Sequence, residues 1–343
     1  MPDDSSGAAR QPRALVLGCA GERLSHEERR FFAAADPFGF VVFRRNCRSR
    51  EQLRALVEEM RGSVGRADAP VLVDQEGGRV ARLRPPEWPA YPAAARIADL
   101  PDPVAGETAR IVARLIADDL AAVGITVDAA PVLDLPRPGA DPVIGDRAFG
   151  ADPARVARLG AAVCEGLLAG GVLPIVKHMP GHGRATVDSH RACPRVEADR
   201  ATLSASDFAP FKALRAMPWG MTAHIVFAAI DPTAPVTFSR PLIDTILRRE
   251  IGFAGVLVSD DISMGALEGS LGERTRRALD AGCDLVLHCT GVMAEMEEIV
   301  EAARPLSPQA AARVVQGEAL RRQSQRDFDR AAAERDLAAR LAA

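Results

Sequence analysis

Three of the chain's six histidines, His178, His182 and His190, fall within fourteen positions that also hold Lys177 and Asp188. Packing rarely calls for such a density of groups that titrate or donate near neutral pH, and proton-transfer chemistry accounts for it better. His190 follows Asp188 by two residues. A carboxylate beside an imidazole orients the ring through one nitrogen and raises its basicity, leaving the other nitrogen to move a proton near pH 7. The alternative is a solvated loop histidine. Asp260-Asp261 closes the apolar run Val256-Leu257-Val258-Ser259. A carboxylate there, held at a sugar's anomeric carbon, would form or stabilise a glycosyl intermediate. The competing reading has Asp261 capping the next helix.

Other polar residues cluster with these. Arg79, Arg82 and Arg147 are loop arginines near Asp74, a grouping suited to a polyhydroxylated or carboxylate-bearing ligand. Asp74 is placed to bond vicinal hydroxyls, and Lys177 and His178 to donate to substrate hydroxyls. The spacing His178-x-x-x-His182 would bind metal on a helix, but Pro180-Gly181 forbids one, so no metal site is expected. His182 is expected to brace the Gly181/Gly183 turn, and His224 and His288 to be interior, structural histidines.

Short apolar runs alternating with amphipathic stretches must position these groups. Strands are expected at Ala14–Gly18, Gly39–Phe43, Val71–Val73, Ile125–Val127, Pro174–Val176, Gly220–Val226, Gly255–Asp261 and Leu285–His288. Helices fall between them, with caps at Ser25, Ser49, Asp152-Pro153 and Ser239. Asp74, Lys177-His178 and Asp260 each directly follow an apolar run, which puts them at the C-terminal ends of strands. Eight strands separated by helices, with chemistry at that end, predict an α/β fold: one closed (β/α)₈ barrel with additional C-terminal helices from Pro308 to about Leu337. A doubly wound sheet is disfavoured because no G-x-G-x-x-G follows a strand. Residues 1–12 are expected to be a disordered tail and 13–343 one domain.

The composition sets limits. Of 343 residues, 48% are hydrophobic, 26% charged and 4% aromatic, and the net charge is −3, which gives no basic footprint for nucleic acid. The core must be aliphatic, as helices on a parallel sheet require. No apolar run approaches the roughly 18 residues a membrane span needs. The start, Met1 to Arg13, lacks an apolar signal region, and the six cysteines form no C-x-x-C pair. A cytoplasmic monomer is expected.

Five motifs occur in order: Asp74-Gln-Glu-Gly-Gly-Arg-Val-Ala-Arg82, Ile144-Gly-Asp-Arg-Ala-Phe-Gly150, Lys177-His-Met-Pro-Gly-His-Gly183, Asp188-Ser-His190 and Ser259-Asp-Asp-Ile-Ser-Met264. Over residues 13 to 290 the chain resembles glycoside hydrolase family 3, and within it the bacterial β-N-acetylglucosaminidases of cell-wall recycling. The resemblance implies a retaining hydrolase that removes terminal β-linked N-acetylglucosamine from N-acetylglucosaminyl-1,6-anhydro-N-acetylmuramic acid, with or without its stem peptide. It implies Asp260 as nucleophile, His190 assisted by Asp188 as acid/base, and Asp74, Arg82, Arg147, Lys177 and His178 as sugar-holding positions. No metal or organic cofactor is implied. Ala148 and Met179 depart from the residues more usual in those motifs. Phosphorolysis, β-glucosidase activity and a non-catalytic sugar-binding barrel are the alternatives. The Gly181/Gly183 loop is expected to swing His190 over bound substrate.

Overall fold

The computed structural model describes residues 11–342, so residues 1–10 of the expected tail lie outside the described residues. Pro12 is already anchored, its carbonyl accepting from Leu306 N at 2.8 Å. Eight strands follow: β1 Arg13–Gly18, β2 Pro37–Val42, β3 Val71–Val73, β4 Val127–Asp128, β5 Leu173–Met179, β6 Trp219–Thr222, β7 Val256–Asp261 and β8 Leu285–His288. Each pairs in parallel with its sequence neighbour, and β1 closes on β8 in the register Leu15↔Val286. The sheet is therefore a closed barrel without edges, wrapped by helices, as the alternating pattern requires.

Parallel strands covered on both faces must be apolar throughout, and β2 and β5 are buried at every position. Helix starts follow local chemistry. Ser25 and Glu28 form a reciprocal capping box on helix His26–Ala35, and Asp152 precedes Pro153 at the start of Pro153–Ala169. Glu28 has a second task. One carboxylate oxygen accepts from Ser25 N (2.7 Å) and the other from Ala20 N (2.9 Å), so a buried acid ties the exit of β1 to the following helix.

Strand ends differ from expectation by up to three or four residues, and three regions show the local detail that the pattern did not give. The sixth strand stops at Thr222, and His224 lies beyond it. Val226–Phe227 leaves the barrel to pair with Arg195–Val196. The segment Leu242–Glu250, whose first turn Ser239 Oγ caps from Leu242 N (3.1 Å), is wound with i→i+5 hydrogen bonds. The C-terminal helical stretch is two helices, Pro308–Ser324 and Arg330–Ala342, separated where Arg326 N bonds Ala169 O and Phe328 packs under Arg114. Arg330 then pairs with Asp118 and Asp119 (2.8 and 3.1 Å), docking the last helix on Val104–Ala121. Among the described residues no helix is long and apolar enough to cross a membrane.

The Glu28 tie predicts a stability effect without a catalytic one. Glu28→Ala strands two backbone amides and should cost about 2 kcal/mol or more in urea unfolding, while any turnover is preserved. A midpoint identical to the parent's would contradict it.

Candidate active site

A cavity of about 330 Å³ opens at the C-terminal mouth of the barrel. Asp74, Arg82, Arg147, Lys177, His178, His190 and Asp260 all line it, together with His182 and Ser189. Of the eight site residues singled out in the sequence, Asp188 alone does not face the cavity directly. It bonds the His190 ring instead.

Lys177 and His178 are consecutive, yet both face the cavity. In a regular strand successive side chains point to opposite faces. Here the ladder slips: Val176 pairs Gly220 and Met179 pairs Thr222, so β5 carries one extra residue at the Lys-His pair. The same device recurs in β7, where Val258 pairs Leu285 and Asp261 pairs Leu287. Leu287 N donates to Ser259 Oγ there (3.0 Å), and Asp260 turns into the mouth.

Lys177 is almost completely buried. Its Nζ lies 2.9 Å from Asp74 Oδ1 and 2.7 Å from Glu76 Oε1. Asp74 Oδ2 accepts from Arg82 (2.8 Å), and Glu76 takes Arg147 in a two-bond fork (2.9 and 2.8 Å). Burial opposes every one of these charges. The facing carboxylates nevertheless hold the Lys177 pKa above its ordinary value, and the facing cations hold those of Asp74 and Glu76 below theirs. Both Asp74 oxygens are thus engaged by cations, and any sugar hydroxyl must use their remaining lone pairs. Arg79 also lines the cavity, its guanidinium bonded to Asp146 (2.7 Å) and the Val143 carbonyl.

Asp134 organises the next wall. It accepts from His178 Nδ1 (2.7 Å) and from the amides of His178 (3.2 Å) and His182 (2.6 Å). Burial raises its pKa, but the His178 ring and these bonds win and bring it to about 2. A carboxylate cannot donate, so His178 Nδ1 carries the hydrogen. His182 does more than brace a turn: its Nε2 lies 3.0 Å from Ser189 Oγ, tying the loop's start to its end. Burial pushes its pKa down to about 4.

Asp260 is partly exposed to the cavity. Burial raises its pKa, but the His178 and His224 rings, the Asp261 amide and Lys177 outweigh that and keep it below the ordinary carboxylate value. It is therefore ionised at neutral pH. Asp261 is not a helix cap. It accepts from Ser263 N (3.0 Å) and Ser263 Oγ (2.7 Å), while the next helix, Leu271–Ala281, is capped by Ser270. His190 Nδ1 lies 2.7 Å from Asp188 Oδ1, which also accepts the His190 amide (2.9 Å). Slight burial of Asp188 is outweighed by these bonds, and its pKa is lowered. The His190 side chain is 64% exposed, so the pair sits at the rim.

The loop's glycines serve close packing. A Cβ on Gly183 would lie 1.9 Å from the Leu135 carbonyl oxygen, and the Gly183 carbonyl accepts from Arg137 N (3.1 Å). The far end is held by Ala266 N on Ser189 O and Gly265 N on His190 O. Sequence reasoning did not single out Glu76, Asp128 or Asp134. Glu76 stands inside a quoted motif, two residues past the strand-end acid Asp74. Asp128 accepts from Gln75 N (2.9 Å) and its other oxygen has no partner; burial raises its pKa well above the ordinary value. Among the described residues no cluster of three or more metal-ligating side chains occurs.

An eight-stranded parallel barrel whose mouth gathers an ionised strand-end carboxylate, a rim histidine–aspartate pair and a row of fixed cations is built for chemistry on a polar ligand. The chain belongs to glycoside hydrolase family 3: the Glycosyl hydrolase family 3 N terminal domain matches residues 10–317. It is 41% identical over 281 residues to a beta-hexosaminidase of Alkalilimnicola ehrlichii, covering 80% of each chain. It is 40% identical to one of Neisseria meningitidis, covering 81% of this chain and 78% of that one. The crystal structure of native NagZ from Neisseria gonorrhoeae superposes with a TM-score of 0.85 at 34% identity, covering 97% of this chain and 99% of that one. The protein is thus a glycoside hydrolase.

The low pKa of His182 has a measurable consequence. Its folded value of about 4 lies below the ordinary 6.5, so the unfolded chain takes up the proton first. The stability of the neutral ring is complete above pH 6.5 and is lost as pH falls toward 4. Between pH 6.5 and about 5, above the carboxylate range, urea unfolding should lose about 2 kcal/mol from this group. His224, whose pKa burial also lowers, adds in the same direction. His182→Asn should flatten the slope; a parent curve level across that window would refute the assignment.

Proposed function

We propose that the chain is a retaining β-N-acetylhexosaminidase that releases terminal β-linked N-acetylglucosamine through a glycosyl-Asp260 intermediate. The observation that carries this reading is that the ionised Asp260 and the Asp188-held His190 line one cavity. The names of the relatives support the sugar: they are beta-hexosaminidases, and the gonococcal NagZ has also been crystallised with N-trifluoroacetyl-D-glucosamine.

In the first step a carboxylate oxygen of Asp260 forms a bond to the anomeric carbon. The bond from that carbon to the aglycone oxygen breaks, and this oxygen keeps the electron pair and takes a proton from His190 Nε2. Asp188 accepts the Nδ1 hydrogen throughout, so Nε2 is the nitrogen that gives and regains the proton. In the second step neutral His190 removes a proton from water, and the resulting oxygen displaces Asp260 from the anomeric carbon with overall retention. Asp74, Arg82, Arg147, Lys177 and His178 hold the sugar. The natural substrate in this reading is N-acetylglucosaminyl-1,6-anhydro-N-acetylmuramic acid with or without its peptide, placing the enzyme in peptidoglycan recycling. A monomer in the cytoplasm belongs to the same proposal.

The test is Asp260→Ala beside His190→Ala on an aryl N-acetylglucosaminide and on a disaccharide. Asp260→Ala should lose about 10⁴-fold or more in kcat on both. His190→Ala should lose about 10²–10⁴-fold on the disaccharide and less on the aryl substrate, whose phenol leaves with little protonation. Proton NMR should show the β-anomer as first product, and added phosphate should not change it. Parental activity in Asp260→Ala would overturn the proposal.

A further inference from the structure

Behind Asp260, outside the cavity, runs a buried hydrogen-bond chain for which the two steps above have no use. His224 is wholly buried and is not among the cavity's lining residues. Its Nε2 lies 3.0 Å from the carbonyl oxygen of Asp261, and its Nδ1 lies 2.7 Å from Thr237 Oγ1. A carbonyl oxygen can only accept, so Nε2 carries the hydrogen. Burial lowers the ring's pKa against the pull of the Asp260 and Asp261 charges, which keeps it neutral at pH 7. Nδ1 then accepts from the Thr237 hydroxyl, and Thr237 Oγ1 accepts from Thr222 Oγ1 at 2.8 Å. The 3.3 Å approach of Thr237 Oγ1 to the Ala223 carbonyl is the weaker claim on that hydrogen. Hydrogen-bond polarity therefore runs one way, from Thr222 through Thr237 and His224 to residue 261.

Residue 261 is gripped on several sides. Its carbonyl is held by His224 and its side chain by Ser263, and its amide donates to Asp260 Oδ1 at 2.8 Å. The need for such a grip follows from the extra residue in β7. Where the ladder slips, Leu287 N turns to a serine side chain, and the 261–262 peptide keeps one strand bond, Ile262 N to Leu287 O at 3.0 Å, with His224 holding its carbonyl on the other side.

We propose that His224 is a positioning residue: by holding the Asp261 carbonyl it orients the residue whose amide pins Oδ1 of Asp260, leaving Oδ2 as the oxygen that attacks. This rests on Asp260 being the nucleophile. The Oδ2 lone pair forms the bond to the anomeric carbon while the aglycone oxygen departs with the old bond's electrons and the proton of His190. A nucleophile free to turn would spend much of its time with the pinned and attacking oxygens exchanged or misdirected, and a misplacement of about 1 Å costs on the order of 10²-fold in rate.

The experiment is a burst measurement on an aryl N-acetylglucosaminide with the full chain. His224→Leu should slow glycosylation on the order of 10²-fold with KM held within about twofold, and its affinity for free N-acetylglucosamine should match the parent's. His224→Gln, whose side-chain amide can donate to the same carbonyl, should recover most of the loss; a purely packing role would not be rescued by this polar residue. A folded His224→Leu protein that glycosylates at the parental rate overturns the proposal. Should that variant fail to fold, ¹⁵N-histidine NMR of the unsubstituted protein decides: His224 must be the neutral Nε2–H tautomer at pH 7, and the Nδ1–H tautomer or an imidazolium overturns it. Asp260→Ala is run alongside, because parental activity there would bring down the nucleophile assignment itself whatever His224 does.

Discussion

Taking the Lys177 ammonium out of water is the costly step from which the arrangement of the pocket follows. It is almost fully buried on a barrel strand, and two carboxylates, Asp74 and Glu76, approach it within 2.9 Å. Each of these in turn fixes a cation of its own: Asp74 holds Arg82, and Glu76 holds Arg147. One buried charge therefore ties the exit of β3, the short hairpin of Gln75–Gly77 with Val80–Ala81 that follows it, and the long connection after β4 to β5. Removing a single partner of such a network exposes an uncompensated charge at about 3–5 kcal/mol. The benefit lies in preorganisation: the cations and their acceptors stand fixed before any sugar arrives, so binding requires no reorientation of charged groups.

That network would be useless if the strands kept their regular alternation. A continuous ladder would send Lys177 into the mouth and His178 into the helical layer, or the reverse. The extra residue in β5 lets both face the cavity, and the extra residue in β7 turns Asp260 inward while Ser259 satisfies the orphaned Leu287 amide. A third slip, between Arg13 and Val16 in the β1–β2 ladder, lies at the opposite end of the barrel; the two at the mouth are backed by side chains that bond the displaced backbone: Asp134 under His178 and His182, and His224 under Asp261.

Much of this was legible in the chain itself. The eight apolar runs mark eight barrel strands, and polar residues placed directly after them mark the mouth, because the side of a parallel barrel where strands end is the side where loops can gather function. The adjacency of Asp188 and His190 was also readable, since a two-residue separation lets the carboxylate reach both the amide and the ring. Glu76 and Asp134 were not readable as organisers. One looks like any acid in a polar turn, and the other lies in a Pro-rich excursion whose path no periodicity constrains. His224 was expected within the sixth strand, but its neighbours pair with Arg195–Val196, a contact between distant loops that no local pattern announces. Asp261 looked like a helix cap because caps and strand exits favour the same residue; Ser270, nine residues on, takes that role.

The two halves of the reaction proposed above make opposite demands, and the two groups assigned to them there have opposite kinds of support. As the proposed nucleophile, Asp260 must stay ionised and aimed; it sits at a strand end, backed by the amide of residue 261, with the His178 ring and Lys177 favouring its charge. As the proposed acid/base, His190 must gain and lose a proton in every cycle and then let water reach the same carbon. A buried ring would be slow to exchange and would exclude that water. Placing the imidazole on a loop rim, 64% exposed but tethered through Nδ1 to Asp188, keeps its orientation while leaving it in contact with solvent.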